Sequence, residues 1–404
     1  MDAVIYDDRP TKQDLRPAEE WRPPRRSLGS RLRGMGTWCS RHRTPITALT
    51  LITAMAAVVT VSSVRNARTT SSPTESLTQQ TRPAVVSTPE MEAAQKKDPV
   101  RMGVFAGTKL GDVRAFEKWA KHEISYVTDF GPRQTWDDIA HPEALLAEWK
   151  GSGYTLVYAV PMLPETLNPD NSMKRKNRLM RQGGKGEYND HFVTLAENLV
   201  QAGQKKAILR VGWEFNLRSW AWGTDDEKLY IDFYREIVDA MRSVPGQDFE
   251  FDWNPNNGFN PNPGEKYYPG DKYVDYVGVD VYDLHAGVYP YPKKCDEACR
   301  NERQTRAWTE AIYGGPRGLA FWTDFAAQHD KPVALPEWGL WDRFDKTGGG
   351  DNPLFIHFMH DYISRPQNNV AYANYFNLNS FQGEHSLTKS FRKSGKEFRE
   401  LFAQ

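Results

Sequence analysis

Two short segments of the chain place a glutamate among apolar residues and tryptophans. Glu214 lies in ILRVGWEFNLRSWAWG at residues 208–223, and Glu337 lies in KPVALPEWGLWD at residues 331–342. Glutamate is usually solvated and tryptophan usually buried, so finding them side by side after an apolar run indicates a site and not a core.

A pair of carboxyl groups suits one kind of chemistry in particular. Cleavage of a glycosidic bond needs one group that protonates the leaving oxygen and another that attacks or stabilises the anomeric carbon. Aromatic rings suit the same chemistry, because Trp and Tyr stack on the apolar faces of sugars. Six tryptophans fall at or just beyond apolar runs, and each could equally pack under a loop: Trp213, Trp220, Trp222, Trp253, Trp338 and Trp341.

The overall charge excludes one class of function. The 404 residues include 52 basic and 52 acidic side chains, and the arginine excess is confined to the N-terminal region. Nucleic-acid binding needs a concentrated basic face, which the rest of the chain does not offer.

The N-terminal region predicts a membrane protein. Residues 22–43 contain seven arginines and no acidic residue, and residues 45–64 carry no charge. About 20 mostly apolar residues can span a bilayer, and the arginine-rich flank predicts that residues 1–44 form a disordered cytoplasmic tail. We therefore expect a single-pass signal-anchor helix at 45–64 and an extracytoplasmic remainder. The alternative is secretion after cleavage of a signal peptide.

Residues 65–98 are rich in Ser, Thr, Pro and Gln and predict a flexible linker. The predicted topology also places the cysteines. Cys295 and Cys299 would lie outside the cell, where a disulfide can persist. Their spacing favours a disulfide within one loop over a metal site. No cofactor or metal ion is expected.

Residues 99–404 predict an α/β fold, a (β/α)8 TIM barrel. Eight apolar runs alternate with segments of helical period, at residues 101–107, 126–131, 155–163, 206–216, 249–256, 273–283, 331–340 and 370–377. After the sixth run no clear helix is expected before residue 304. An open doubly wound sheet would also alternate in this way, but no glycine-rich phosphate loop follows any run.

In such a barrel the active residues lie at the carboxyl ends of the strands. Glu214 and Glu337 end the fourth and seventh runs. Other polar or aromatic residues end the remaining runs: Asp129, Asn254, Asn256, Asp280, Tyr282 and Asn377. Strand alternation predicts that Arg210, Glu214 and Asn216 share one face, with the cation beneath the glutamate.

At this point the residues resemble a known family. The segments RVGWEFN, WAWG, YVDYVGVDVYD and LPEWG are similar to those of glycoside hydrolase family 26, the β-mannanase family of retaining (β/α)8 barrels. The resemblance implies that Glu214 is the general acid/base and Glu337 the nucleophile. It also implies that Tyr282 positions the nucleophile, that Arg210 supports the carboxylates and that Trp222 lines a sugar subsite. The chain departs from the family pattern at Trp213, where histidine is usual.

Together these observations predict a membrane-anchored O-glycosyl hydrolase that cleaves a β-linked polysaccharide by double displacement. The expected partners are the polysaccharide and the membrane. Substrate-binding or supporting roles are expected for Arg210, Trp213, Asn216, Trp222, Trp253, Asn254, Tyr282 and Trp338. Two alternatives stay open: a glycan-binding scaffold barrel of a polysaccharide assembly system, and a transglycosylase.

Overall fold

The computed structural model describes residues 101–258 and 260–403. The predicted cytoplasmic tail, membrane anchor and linker at residues 1–98 lie outside this range and stay predictions. Within the two described ranges, no helix is both long enough and apolar enough to cross a membrane.

Eight parallel strands close into a barrel, which confirms the predicted (β/α)8 fold. The first and last strands pair with each other, and the last also pairs with the seventh. The eight barrel strands are β1 (Arg101–Phe105), β2 (Tyr126–Phe130), β3 (Thr155–Val160), β4 (Ile208–Val211), β5 (Glu250–Trp253), β6 (Tyr276–Gly278), β7 (Val333–Gly339) and β8 (Val370–Phe376), and a two-residue strand, Val281–Tyr282, follows β6 and pairs with the end of β7. Each lies within one of the eight apolar runs.

Helices surround the barrel and cover it with their apolar faces. They are α1 (Leu110–Ala120), α2 (Trp136–Ala140), α3 (Glu143–Trp149), α4 (Met173–Gly183), α5 (Asn189–Gln201), α6 (Glu227–Arg242), α7 (Glu297–Ala307), α8 (Leu319–Gln328), α9 (Pro353–Ser364) and α10 (Arg392–Phe402). In α6 the Asp226 side chain accepts a hydrogen bond from the backbone N–H of Leu229. Apolar side chains three and four positions apart in α6 are buried, as an amphipathic helix requires.

Helix α7 begins earlier than the sequence predicted. It starts at Glu297, and the Asp296 side chain caps it by accepting from the backbone N–H of Cys299 at 3.0 Å. Apolar periodicity missed this helix because its first turns are almost entirely polar. Cys295 and Cys299 form a disulfide that joins the residue before the cap to the first turn.

The barrel interior contains several hydrogen-bonded polar side chains below the strand ends. Asn374 donates to the Thr128 hydroxyl at 2.7 Å, and that hydroxyl donates to the carbonyl of Pro336 at 3.1 Å. Asp252 accepts from the Tyr372 hydroxyl across the barrel. Gly278 leaves room for this carboxyl, since a Cβ built on it would lie 1.9 Å from Asp252 Oδ1. The large apolar core lies instead between the barrel and the helices.

Candidate active site

Glu337 on β7 is held from two sides inside the barrel mouth. Nη2 of Arg210, on β4, lies 2.8 Å from Glu337 Oε1. The hydroxyl of Tyr282, which follows β6, donates to Glu337 Oε2 at 2.7 Å. Because both carboxylate oxygens have a fixed donor, the orientation of Glu337 is set before any ligand arrives.

A bulge in β7 directs Glu337 inward. Ala373 of β8 pairs with Leu335, and Tyr375 pairs with Trp338, so β7 has one residue more than β8 over this stretch. An extra residue shifts the alternation of side chains by one. Glu337 therefore faces the barrel interior while Trp338 packs outward against Tyr375 and Phe398.

The direction of the Glu214 side chain is set by the backbone conformation after β4. Strand β4 ends at Val211, and Gly212 and Glu214 have φ angles of 58° and 49°. Regular strand alternation therefore ends at Val211 and does not by itself set the direction of the Glu214 side chain. The left-handed conformation costs energy for a residue with a side chain and is found at functional sites. It is fixed here by the Glu214 N–H, which donates to the Asn254 carbonyl at 2.8 Å.

The Glu214 carboxyl group accepts two hydrogen bonds. Asn256 Nδ2 donates to Oε1 at 2.6 Å, and the indole N–H of Trp220 donates to Oε2 at 3.1 Å. Burial and then the negative charge of Glu337 raise the pKa of Glu214 to about 7. The two donors oppose this rise, since they favour the charged form. A carboxyl group with this pKa can both donate and accept a proton near neutral pH.

Arg210 is a buried cation shared among several acceptors. Besides Glu337, it donates to Asp280 Oδ2 at 2.8 Å and to Asn254 Oδ1 at 2.6 Å. Neither Arg210 nor Asp280 exposes any of its side chain. Burial raises the pKa of Asp280 well above its ordinary value although Arg210 opposes the shift. The arginine therefore bonds directly to Glu337 and Asp280, and its positive charge also favours the charged form of Glu214.

The two predicted asparagines have separate positions. Asn254 lies in the Arg210 cluster and donates to Asp280 Oδ1 at 3.1 Å. Asn216 lies outside it, where its side chain donates to the Asn256 carbonyl and accepts from the Asn256 N–H, each at 2.8 Å. These two hydrogen bonds fix the backbone of Asn256, the residue that donates to Glu214. Asn216 therefore supports the site through Asn256.

The four tryptophans expected near the substrate are buried. Trp213, Trp222, Trp253 and Trp338 are at most 1% exposed. Trp222 donates its indole N–H to the Trp213 carbonyl at 2.9 Å and stacks parallel to Trp220 at 5.1 Å. A side chain with no exposed surface cannot touch a sugar, so the subsite implied for Trp222 is corrected to a supporting role beneath Trp220.

Two other tryptophans, Trp220 and Trp341, are only half-buried and lie at the mouth of the barrel. Trp220 contacts Glu214 through its N–H, and Arg133 lies over its ring at 5.5 Å. Trp341, which follows β7, packs edge-on against Tyr282 with ring centroids 5.2 Å apart. Both follow apolar runs in the sequence, but nothing in the sequence separates them from the buried four. Among the described residues, no group of three or more His, Cys, Asp or Glu side chains is arranged to hold a metal ion.

Comparison with known proteins bears on this arrangement. Residues 186–293 match glycosyl hydrolase family 26. That range contains Arg210, Glu214, Asn254 and Tyr282, whereas Glu337 lies beyond it. No curated protein matches the chain.

Solved structures share the fold at low sequence identity. A modular endo-β-1,4-mannanase from Cellulomonas fimi is 16% identical, with a TM-score of 0.53 over 76% of this chain and 71% of that one. The catalytic domain of an endo-β-1,4-mannanase from Bacillus sp. JAMB-750 is 15% identical, with a TM-score of 0.52 over 76% and 86%. The protein GH26C from Muricauda sp. MAR_2010_75 is 16% identical, with a TM-score of 0.51 over 78% and 88%.

The match at residues 186–293 covers the fourth to sixth strands with their site residues, and the structural likeness extends to the whole barrel. The chain is thus a (β/α)8 barrel that resembles glycosyl hydrolase family 26, and its residues 186–293 match the model of that family.

Proposed function

We propose that this protein is a retaining glycoside hydrolase that cleaves a β-linked polysaccharide of the β-mannan type or a related cell-surface glycan. The observation that carries the proposal is the unequal environment of the two glutamates. Glu337 is bound on both oxygens by Arg210 and Tyr282. Glu214 has a pKa raised to about 7 and holds its proton in slightly acidic solution. Carboxyl groups with opposite environments suit opposite roles.

In the first step, a Glu337 oxygen attacks the anomeric carbon while Glu214 transfers its proton to the glycosidic oxygen. The bond from the anomeric carbon to that oxygen breaks, and the leaving sugar departs with the proton. Tyr282 and Arg210 keep the attacking carboxylate in one orientation, so little rotational freedom is lost on the way to the transition state.

In the second step, Glu214 takes a proton from water and the resulting hydroxide oxygen attacks the anomeric carbon. The ester bond to Glu337 breaks, and the product keeps the original anomeric configuration. During this step Glu337 carries no negative charge. Its charge is one cause of the raised pKa of Glu214, so that pKa falls and the residue becomes a better base.

Two observations support the choice of glycan. Two of the solved structures that share the fold are named endo-β-1,4-mannanases. The half-buried indoles of Trp220 and Trp341 flank the carboxyl pair, and such rings stack on sugars. Mannans are therefore the first substrates to test.

The test incubates the purified full-length chain with mannan, glucomannan, xylan, mixed-linkage glucan, β-1,3-glucan and native cell-envelope polysaccharide. Products are separated by size, and their first-formed anomer is followed by NMR. We expect oligosaccharides from one glycan, released as the β anomer, and none from the Glu337→Gln variant. Glu197→Gln, at an exposed position on α5, is the matched control and should retain full activity.

Other outcomes would redirect the assignment. Binding to one glycan without products, unchanged in Glu337→Gln, would favour a scaffold barrel. Products longer than the substrate when an acceptor oligosaccharide is added would favour transglycosylation. Release of the α anomer would exclude a double displacement and the nucleophile role of Glu337.

We also propose that residues 45–64 anchor the protein in the cell membrane, with the barrel outside the cytoplasm. The support is the uncharged segment and its arginine-rich N-terminal flank. Full-length protein should sediment with membranes and resist extraction by carbonate, and protease added outside the cell should remove the barrel. Release of the barrel into the medium, without residues 1–64, would support signal cleavage instead.

A further inference from the structure

His385 lies close to the proposed nucleophile, at a position that no local sequence pattern marks. It lies in the loop after β8, and its ring packs against those of Tyr282 and Trp341 with centroids 5.4 and 4.7 Å away. Tyr282 is the residue that donates to Glu337. The imidazole is thus separated from the nucleophile by a single side chain.

Hydrogen bonds to β8, to the loop after β7 and within its own loop hold His385 in place. Its Nδ1 lies 2.9 Å from the carbonyl of Leu340, in the loop after β7. The Tyr375 hydroxyl donates to the His385 carbonyl at 2.9 Å and accepts from the Leu340 N–H at 3.4 Å. Asn379 Oδ1 accepts from the His385 N–H at 2.8 Å. These bonds fix both the backbone and the ring orientation.

The Leu340 contact also fixes the tautomer. A carbonyl oxygen only accepts, so Nδ1 of His385 carries the proton. Burial lowers the pKa of His385 to about 4, although the bond to Leu340 opposes the shift. Near neutral pH the ring is therefore uncharged, and Nε2 presents a lone pair as a hydrogen-bond acceptor.

The Nε2 atom is the part of the ring that the protein leaves unused. Within the described residues no side chain or backbone group donates to Nε2. The atom is also not completely shielded from solvent, so a ligand can reach it. The residue as a whole is 3% exposed, comparable with the 6% of Glu337 itself. An oriented acceptor that solvent can reach accepts from water until a ligand hydroxyl group displaces that water. Sugar hydroxyl groups are such donors.

Resting on the proposed function, we propose that Nε2 of His385 accepts a hydrogen bond from one hydroxyl group of the sugar bound at Glu337. His385 then helps to select the glycan, because a sugar without a hydroxyl in that direction leaves the acceptor unpaired. A site built around such a bond discriminates more strongly than an apolar pocket does. The ligand class is a neutral pyranoside of the polysaccharide backbone.

The test compares His385→Asn with His385→Gln in the full-length chain. The Asn amide can replace Nδ1 and keep the bond to Leu340 while it loses the acceptor at Nε2. The Gln amide can reach the position of Nε2 but loses the Leu340 bond. His357→Asn, at an exposed position on α9, is the control and should behave like wild type.

Substrates are pentasaccharides of β-1,4-mannose, β-1,4-glucose, β-1,4-xylose and β-1,3-glucose, followed by monodeoxy analogues of the best one. We expect His385→Asn to lower kcat/KM on the parent by about 10- to 100-fold, with partial rescue in His385→Gln. On one deoxy analogue wild type and His385→Asn should be equal. An equal loss on every analogue, or no loss on the parent, would overturn the proposal.

The same experiment separates this proposal from the proposed function. If wild type binds a pentasaccharide without cleaving it, the hydrolase assignment fails, and His385 is judged by Kd for the parent and its analogues. The deoxy analogue must then bind wild type and His385→Asn equally. If wild type neither binds nor cleaves any of the four pentasaccharides or any glycan of the polysaccharide panel, both proposals are overturned.

Discussion

Arg210 Nη2 and Glu337 Oε1 lie 2.8 Å apart although 127 residues separate them in the chain. Neither side chain can leave the pair without cost. Arg210 exposes no side-chain surface, and the side chain of Glu337 is 8% exposed. Separate strands of the barrel supply the two groups, so the ion pair forms only when β4 and β7 are closed into one structure.

Replacing Arg210 should therefore destabilise the barrel as well as inactivate it. Arg210→Met leaves Asp280 and Glu337 buried without their cation, which should cost about 3–5 kcal/mol in the free energy of unfolding. Arg210→Lys keeps the charge but cannot reach Asn254, Asp280 and Glu337 together, so its loss should be smaller. Urea denaturation measures both, with the exposed Arg365→Met as control. An Arg210→Met variant as stable as wild type would contradict the role given to the pair.

Tyr282→Phe should separate orientation from binding. The variant keeps the aromatic ring that packs on Trp341 and His385 but loses the 2.7 Å hydrogen bond to Glu337. We expect kcat to fall by about 10- to 100-fold while KM changes little, since the bond acts on the proposed nucleophile and not on the sugar. Steady-state kinetics on the best oligosaccharide decide the question. A large rise in KM with unchanged kcat would make Tyr282 a substrate-binding residue instead.

The alkaline side of the pH profile should report Glu214. Its pKa is raised to about 7, and the first step needs it protonated, so kcat/KM should fall as pH rises through that value. Trp220→Phe removes a donor that favours the charged form and should move this fall upward, by up to about one pH unit. A fall at lower pH in Trp220→Phe than in wild type would show that a group other than Glu214 causes the alkaline fall of kcat/KM. An unchanged alkaline fall in Glu214→Gln would show the same.

The sequence predicts the barrel well because its signals are local. Each of the eight strands is a short apolar run, and helices such as α6 show both a cap and an apolar stripe. Glu214 and Glu337 were identifiable because strand ends in this fold face the same side. Their positions along the chain are enough for that inference.

Side-chain direction was not predictable in the same way. Gly212 and Glu214 turn into the left-handed region after β4, and a bulge shifts β7 by one residue, so simple alternation does not give the side-chain direction of either glutamate. Burial was equally hidden: Trp220 and Trp222 are two residues apart, yet only Trp220 contacts Glu214. The position of His385 depends on the contact between the loops after β7 and β8, which no local sequence pattern encodes.

The buried carboxyl group of Asp252 gives a prediction for stability. Asp252 accepts from Tyr372 inside the barrel, and burial raises its pKa to about 7. In the unfolded chain an aspartate loses its proton near pH 4, so the folded state binds more protons between about pH 4 and 7. Stability from this group is therefore fully present at low pH and is lost as pH rises through about 7.

Asp252→Asn cannot ionise and should remove that loss. Above pH 7 the variant should be more stable than wild type, by at most about 4 kcal/mol, and its free energy of unfolding should fall less between pH 4 and 7. Urea denaturation at several pH values measures both, with the exposed Asp324→Asn on α8 as the control. If wild type and Asp252→Asn change in parallel with pH, Asp252 does not titrate between the two states and another group must account for the slope.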